Sequence, residues 1–235
     1  MTAWGGLDGC RAGWTLAVLD ETGRVDVDVV ASFSDALALV DGDRLATLAV
    51  DMPIGVPDDG RRAADREARA RLGRRRSTVF TTPCRATLGT AGYEEALAAS
   101  RRVTGTGLSI QAFNLLGRMR EVDRLMVPEL QDRVVECHPE LAFAALAGRT
   151  VETSKHTPEG IAERVDLLDR ALRALGAATG AATGPVDRPP RGARADDVVD
   201  AMAIALVARR LDRGEVERLG DGTRDRRGLR MEIVV

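Results

Sequence analysis

The segment Asp196-Asp197-Val198-Val199-Asp200-Ala201-Met202-Ala203-Ile204-Ala205-Leu206-Val207 sets the interpretation of the whole chain. Residues three and four positions apart are neighbours on a helix, so its aspartates lie on one side. The residues after them are apolar almost all round, which predicts a buried helix. The aspartates can cap the helix and interact with the positive end of its dipole. Alternatively they form a charged site, because clustered carboxylates destabilise a fold unless a cation joins them.

The composition limits the class of protein. The chain has 235 residues, 44% of them hydrophobic, which suffices for one large domain or for a domain with an insertion. The net charge of −2 excludes a global basic field and leaves only local patches for nucleic acid. Three widely spaced cysteines argue against a disulfide framework and leave the oligomeric state open. Without a signal peptide, and with no apolar run of ~18 residues, we expect a soluble cytoplasmic protein with no membrane partner.

Short apolar runs separated by turn residues predict an α/β fold with a mixed five-stranded sheet and flanking helices. Strands are expected at 3–8, 13–20, 24–30, 45–50 and 133–136, with a last edge strand at 231–235. Helices are expected after Ser32 or Ser34, at 61–72, 93–103, 110–126 and 158–175, after His138-Pro139, and from 196 to about 213. Residues from about 58 to 130 form a helical insertion, and residues from about 176 to 194 form a flexible linker. The prediction is a single domain over residues 1–235.

Acidic residues follow three of the predicted strands. Asp8 ends the first strand before a Gly-rich turn, Asp51 ends the fourth, and Glu136 ends the fifth. Sites in such sheets lie off the carboxyl ends of strands, so a parallel fourth strand beside the first brings Asp8 and Asp51 together. A helix packed on that sheet adds Asp197 and Asp200 from its first turn.

Each of these acids also has a structural alternative, since an aspartate can cap a turn and a glutamate can pair with an arginine. As a group, however, they supply the hard oxygen ligands that suit Mg²⁺ or Mn²⁺. Two such ions about 4 Å apart activate water and stabilise the leaving oxygen in phosphoryl transfer. Asp196 is then left as the N-cap of the last helix.

Several motifs together resemble an uncharacterised bacterial and archaeal family, domain-of-unknown-function family 429, which is described as predicted nucleases of RNase H-like fold. The motifs are GLDGCRAGW (6–14), DMPIGVP (51–57), ADREAR…LGRRRSTVF (64–80), TGTGLSIQ (104–111), ECHPELAF (136–143) and DDVVDAMAIA (196–205). The resemblance implies an RNase H-like fold and a nuclease activity, with Asp8, Asp51, Asp197 and Asp200 as metal ligands. The usual pattern of that fold has a glutamate on the helix after the third strand. This chain has only Asp35, Asp41 and Asp43 there, and Glu136 is the substitute.

Polar residues outside the acidic group are candidates for substrate binding. Arg74, Arg75, Arg76 and Ser77 form a basic loop that can grip a phosphate backbone, or simply a solvated face. Ser109 and Gln111 begin a helix after a Gly-rich turn, a position that favours an anion. His138 can act as an acid or base, or merely position the helix that Pro139 begins. Lys155, the only lysine, can reach a phosphate or remain exposed.

Three functions are compatible with these residues. The first is a metal-dependent nuclease that uses Mg²⁺ or Mn²⁺ and acts on a nucleic acid or nucleotide. The second is a nucleotide-binding protein with the topology of actin and sugar kinases, although GLDGCRAG lacks the expected phosphate-binding Ser or Thr. The third is a non-catalytic binding module in which the acids are structural. The cysteines lack an evident base, so a cysteine hydrolase is disfavoured.

Overall fold

The computed structural model describes residues 2–235. The chain divides into two compact units. The first contains the residues up to Asp51, Arg133–Glu217 and Val234–Val235, and the second contains Met52–Asp132 and Arg218–Ile233. The second unit therefore includes the insertion predicted at 58–130. It also includes Arg218–Ile233, which the sequence pattern did not assign to the insertion.

A five-stranded mixed sheet forms the centre of the first unit, as predicted. Its strands are β1 (Ala3–Cys10), β2 (Gly13–Asp20), β3 (Val25–Val30), β4 (Thr47–Val50) and β5 (Val134–Glu136). They lie in the order β3-β2-β1-β4-β5. The pairs β1–β2 and β2–β3 are antiparallel, whereas β1–β4 and β4–β5 are parallel. The parallel pairing of β1 with β4 confirms the arrangement on which the predicted meeting of Asp8 and Asp51 depends.

Helices surround the sheet and make up most of the second unit. They are α1 (Phe33–Asp41), α2 (Ala63–Leu72), α3 (Tyr93–Thr104), α4 (Ile110–Leu125), α5 (Pro139–Ala147), α6 (Pro158–Arg173), α7 (Thr183–Asp187) and α8 (Ala195–Asp212). Short 3₁₀ helices cover Gly73–Thr78, Arg85–Gly89 and Pro128–Asp132. Strands β6 (Arg218–Leu219) and β7 (Ile233–Val234) form a second, two-stranded sheet, of which the sequence pattern predicted only the last strand. Among residues 2–235, no helix has both the length and the apolar character that crossing a bilayer requires.

The second unit is held internally by buried arginines. Arg62 Nε lies 3.0 Å from a carboxylate oxygen of Asp65, and the other oxygen of Asp65 accepts the backbone N–H of Thr82. Arg85 contacts both Asp123 and Asp225. Buried guanidinium groups need such partners, since an unpaired buried charge is strongly destabilising.

Strand β1 extends two residues beyond its predicted end. Asp8 is paired across the sheet with Thr15, and the hairpin turn comes only after Cys10, at Arg11 and Ala12. The prediction that Asp8 marks the end of the strand was therefore wrong, because Gly9 continues the ladder instead of beginning the turn. Side chains alternate along a strand, so Trp4, Gly6 and Asp8 share one face.

Helix α8 is buried on nearly its whole circumference and packs on β1, β2 and β4, as its apolar sequence predicts. Gly6 makes this close packing possible. A Cβ at Gly6 would lie 2.9 Å from Ala205 Cα, and closer still to Ala201 O and Ala205 N. Thr47 Oγ1 also donates to the Ala208 carbonyl at 2.7 Å, which ties β4 to the same helix. The absence of a side chain at Gly6 thus brings the start of α8 to the strand residue Asp8.

Two details of the chain differ from the sequence prediction. The N-cap of α8 is Arg194 and not Asp196, because the helix already begins at Ala195. The segment 176–194, expected as a linker, contains helix α7 and buries Val186 against the core. Asp169 stabilises this segment by accepting the backbone N–H groups of Gly180 and Ala182.

Candidate acidic site at the carboxyl ends of β1 and β4

The sheet and α8 bring three carboxyl groups together within the first unit. Asp8 faces α8 from β1. Asp200 lies on α8 next to Ala201, which can pack closely against the sheet because Gly6 has no side chain. Asp51 follows β4 directly, and its backbone N–H donates to the Leu7 carbonyl at 2.9 Å. Asp8 and Asp200 are buried, with 8% and 1% of their surface exposed.

The burial and the neighbouring charges of Asp8 both affect its pKa. Burial raises the pKa of Asp8 well above its ordinary value, and the charges of Asp51 and Asp200 raise it further. Asp197 adds a smaller contribution in the same direction, whereas Lys155 opposes the shift. Like charges held together in a poorly solvated place favour the protonated acid. The cluster is therefore short of positive charge, even with Lys155 present.

Lys155 is a cation that acts on all three acids. Its ammonium contacts the carboxylate of Asp200. Burial opposes the charged form of Lys155, but Asp200, Asp8 and Asp51 outweigh it and raise the pKa of Lys155. Burial raises the pKa of Asp200 to about 6 against the opposing effect of Lys155, with Asp51 and Glu140 adding to the increase. In the structure Lys155 is paired with Asp200, and its contact with substrate stays a prediction.

A buried ion pair anchors the segment that carries Lys155. Arg164 of α6 is fully buried and binds both carboxylate oxygens of Glu140, at 3.0 and 2.8 Å. The same guanidinium donates to the Thr153 carbonyl at 3.1 Å. Gly160 contributes as well, because a Cβ there would clash with the Ser154 carbonyl. The backbone that precedes Lys155 is thus held against α6.

Asp197, predicted as a metal ligand, has a second role at the start of α8. Its carboxylate accepts the backbone N–H of Arg194 at 2.8 Å, as in a capping box. Asp197 is half-buried, and burial raises its pKa with a contribution from Asp196. Asp196 itself lies 3.2 Å from Arg194 Nε and 3.6 Å from His156 Nδ1.

Glu136, Cys137 and His138 form the adjoining edge of the site. Glu136 is buried at the end of β5 and is paired across the sheet with Val50. Burial raises the pKa of the Cys137 thiol well above its ordinary value, and the charges of Asp51 and Glu136 add to the shift. A thiol held protonated is a poor nucleophile, in keeping with the expectation against a cysteine hydrolase. His138 is the N-cap of α5, where Nδ1 accepts the Glu140 N–H at 3.2 Å.

Two of the acids that stand where the usual pattern has a glutamate take part in local structure. Asp35 of α1 forms a capping box with Ser32, one of the two serines predicted as its N-cap. Asp43 lies 3.2 Å from Arg133 in an exposed pair. Asp35 and Asp43 are therefore engaged in local structure.

The donor set fits a hard divalent cation, although its arrangement is that of an ion-paired cluster. Among the described residues, no group of three His, Cys, Asp or Glu is arranged to hold a metal ion. The ammonium of Lys155 instead pairs with Asp200. Beside Asp8, on the same face of the sheet, the hydroxyl of Thr15 is buried without a hydrogen-bond partner in the described chain. Excess negative charge and an unsatisfied hydroxyl both suit an additional cation with its water ligands.

The predicted substrate contacts of the second unit group around a separate cavity. Ser77, Ser109 and Gln111 line a cavity of about 410 Å³, together with Arg61 and Arg69. The remaining predicted contacts, Arg74, Arg75 and Arg76, lie on the 3₁₀ helix Gly73–Thr78 outside the lining that the structure describes. Ser109 caps α4 by accepting the Ala112 N–H at 3.1 Å. Their role in substrate binding stays a prediction.

Some residues of the site had no signal in the sequence. Glu140 and Arg164 are twenty-four residues apart, and nothing in their local pattern indicates a buried pair. The closeness of Lys155 to Asp200 likewise depends on packing of α6 against α8. A weak signal did exist for Gly6, since a glycine inside an apolar strand indicates close approach of another backbone.

These features define an α/β protein with a buried acidic cluster at the carboxyl ends of two parallel strands. Residues 6–224 match the model of the family described as protein of unknown function (DUF429), and the chain belongs to that family. The membership indicated by the sequence motifs is thus confirmed. No curated protein and no solved structure matches the chain.

Proposed function

We propose that this protein is a divalent-metal-dependent phosphodiester hydrolase of RNase H-like fold, acting on a nucleic acid or nucleotide. The observation that carries the proposal is the placement of Asp8 on β1, of Asp51 at the end of the adjacent parallel β4 and of Asp200 on the helix packed against both strands, with Asp8 and Asp200 buried. A central β1 with antiparallel β2 and parallel β4 on its two sides supports the fold assignment.

Asp8, Asp51 and Asp200 would hold Mg²⁺ or Mn²⁺, with Asp197 at the margin of the site. When bound, such an ion lowers the pKa of a coordinated water and stabilises developing negative charge on phosphate oxygens. Carboxylates bind metal only when deprotonated, so binding requires release of the proton that burial favours on Asp8. The weak solvation of the site strengthens these interactions.

Lys155 has two roles in this proposal. Without metal, its ammonium neutralises Asp200 and keeps the acids together. If Asp200 held a divalent cation, the ammonium would be available to a phosphate oxygen of the substrate as a charge-assisted donor.

A cleavage assay with labelled single-stranded DNA and RNA tests this function. We expect cleavage only with Mg²⁺ or Mn²⁺, and loss of cleavage by about a hundredfold or more in Asp8→Asn. Asp28→Asn is the matched control, because Asp28 is an exposed aspartate on β3 of the same sheet. Equal cleavage by wild type and Asp8→Asn would refute the assignment of the site.

The contact between Lys155 and Asp200 favours a second candidate, a non-catalytic protein whose acids and lysine form a structural ion cluster. In that case no divalent cation binds, and neutralising Lys155 destabilises the fold with no rescue by metal. Thermal unfolding of Lys155→Met with and without Mn²⁺ therefore separates the two candidates.

A further inference from the structure

A cavity of about 610 Å³ lies beside the acidic site, within the first unit. The turn before α6 and the starts of α6 and α8 form one side of it, and α7 forms another. Its volume lies within the range of about 300–1,000 Å³ typical of small-molecule sites. Apart from Lys155, no residue that lines it was predicted from the sequence to bind substrate.

The cavity and the acidic site share Lys155. This lysine lines the cavity, and its ammonium contacts Asp200. A ligand group that contacts Lys155 in the cavity is therefore adjacent to Asp200.

The rim of the cavity carries positive charge on a fixed support. Asp196, whose side chain is only 12% exposed, lies between Arg194 and His156, at 3.2 Å from Arg194 Nε and 3.6 Å from His156 Nδ1. The side chains of Arg194 and His156 remain mostly exposed. A guanidinium has five N–H donors, so Arg194 can bind an anion while it contacts Asp196. Lys155 and Arg194 are thus two permanent cations in a lining that also contains the carboxylates of Asp187 and Asp196.

The wall of the cavity is aliphatic. Ile161 and Val165 stand one turn apart on α6, Val186 faces them from α7, and Ala162 and Ala195 complete the surface. Such a wall favours a flat, weakly hydrated group by burial of its apolar faces. The cavity therefore combines aliphatic side chains with charged side chains of both signs, and its two cations can bind the phosphate of an organic phosphate whose ring packs on the aliphatic part.

We propose that this cavity binds one nucleoside phosphate, with the base against Ile161, Val165 and Val186 and the phosphate at Lys155 and Arg194. The inference rests on the proposed hydrolase function and names its substrate: a nucleotide that is free, or that ends a single strand. A base inside a duplex is stacked and paired, and cannot enter a cavity of this kind without being extruded. The substrate is thus a small nucleotide or a frayed strand end.

Binding of AMP and of ribose 5-phosphate, measured by calorimetry in the presence of Mn²⁺, tests the proposal. We expect AMP to bind wild type about tenfold or more tightly than ribose 5-phosphate, because only AMP fills the aliphatic wall. Ala162→Trp fills the cavity from an exposed helical position and lowers AMP affinity by about tenfold or more. Ala145→Trp, on an exposed position of α5 outside the lining, leaves it unchanged.

Competition with a single-stranded oligonucleotide identifies the source of the nucleotide. Displacement of AMP by a linear strand, but not by a circular one, assigns the cavity to a strand end, and no displacement by either assigns it to a free nucleotide. Equal affinity for AMP and ribose 5-phosphate, or no effect of Ala162→Trp, overturns the proposal. Mn²⁺ binding to Ala162→Trp separates a failure of this proposal from a failure of the proposed hydrolase function. The acids are unchanged in that variant, so Mn²⁺ binding reports on the acidic site alone.

Discussion

The close approach of α8 to β1 leads to a sharp prediction for Gly6→Ala. A Cβ at Gly6 would lie 2.9 Å from Ala205 Cα, whereas ordinary contact begins at 3.4 Å. The helix must therefore retreat by at least about half an ångström, because the obstructing atoms belong to its backbone and cannot rotate away. Overpacking of this kind typically costs 1–3 kcal/mol, and we expect about 3 kcal/mol here. For a chain of this size that lowers the unfolding midpoint by about 6–12 °C.

Thermal unfolding followed by far-ultraviolet circular dichroism measures this effect against two controls. Gly5→Ala meets only the methyl ends of Leu48 and Leu45, at 2.7 and 2.8 Å, which can rotate, so its loss is smaller. Gly117→Ala, within α4, meets nothing within 4 Å and gains up to about 1 kcal/mol from helix propensity. Gly6→Ala also moves Asp200 away from Asp8 and weakens Mn²⁺ binding in the folded protein. A midpoint for Gly6→Ala equal to that of Gly5→Ala would refute the packing of α8 on β1.

Three further predictions concern the charged cluster. Because the pKa of Asp8 is raised in the folded protein, the folded state binds the proton of Asp8 more tightly than the unfolded state does. The protonated Asp8 therefore contributes its full stabilisation below the ordinary pKa of 3.8, and this stabilisation is lost as the pH rises through the pKa of the folded state. Asp8→Asn should therefore raise the unfolding midpoint by several degrees at pH 7 and less at pH 4, and an equal effect at both would contradict this. Lys155→Met should lower the unfolding midpoint in the absence of metal. The same variant should bind Mn²⁺ about tenfold more tightly at pH 8 in titration calorimetry, because the ammonium that competes for Asp200 is gone. Weaker Mn²⁺ binding by Lys155→Met would contradict a competition between the ammonium and the metal ion. Cys137, buried with a raised pKa, should resist iodoacetamide in the native protein and react only after unfolding, and rapid native labelling seen by mass spectrometry would disprove it.

The parts of the fold that follow from local pattern could be predicted from sequence. Alternation of apolar runs and turns located the five strands, and the apolar circumference of the last helix indicated its burial. The acidic group could be predicted because Asp8 lies near the end of β1 and Asp51 directly follows β4, the adjacent parallel strand. The error at Asp8 arose because Gly9 was read as a turn residue, while a glycine can equally continue a strand beside a hairpin.

The parts of the site that depend on packing between distant segments could not be predicted. Lys155 meets Asp200 only because a turn held by Arg164 and Glu140 brings it there. The Asp196 N-cap prediction failed because helix boundaries carry an uncertainty of one or two residues, and the chain enters the helix at Ala195. The cavity beside the site is formed by three helices and has no counterpart in any local motif.

Calorimetric titration of Mn²⁺ into the purified protein tests the central claim most directly, that Asp8 belongs to a cation-binding cluster with Asp51 and Asp200. We predict that wild type and Asp28→Asn bind Mn²⁺ with equal affinity at pH 8, and that Asp8→Asn, folded by circular dichroism, does not bind it in the same range. Absence of binding to wild type at millimolar Mn²⁺, or unchanged binding to Asp8→Asn, would contradict the claim.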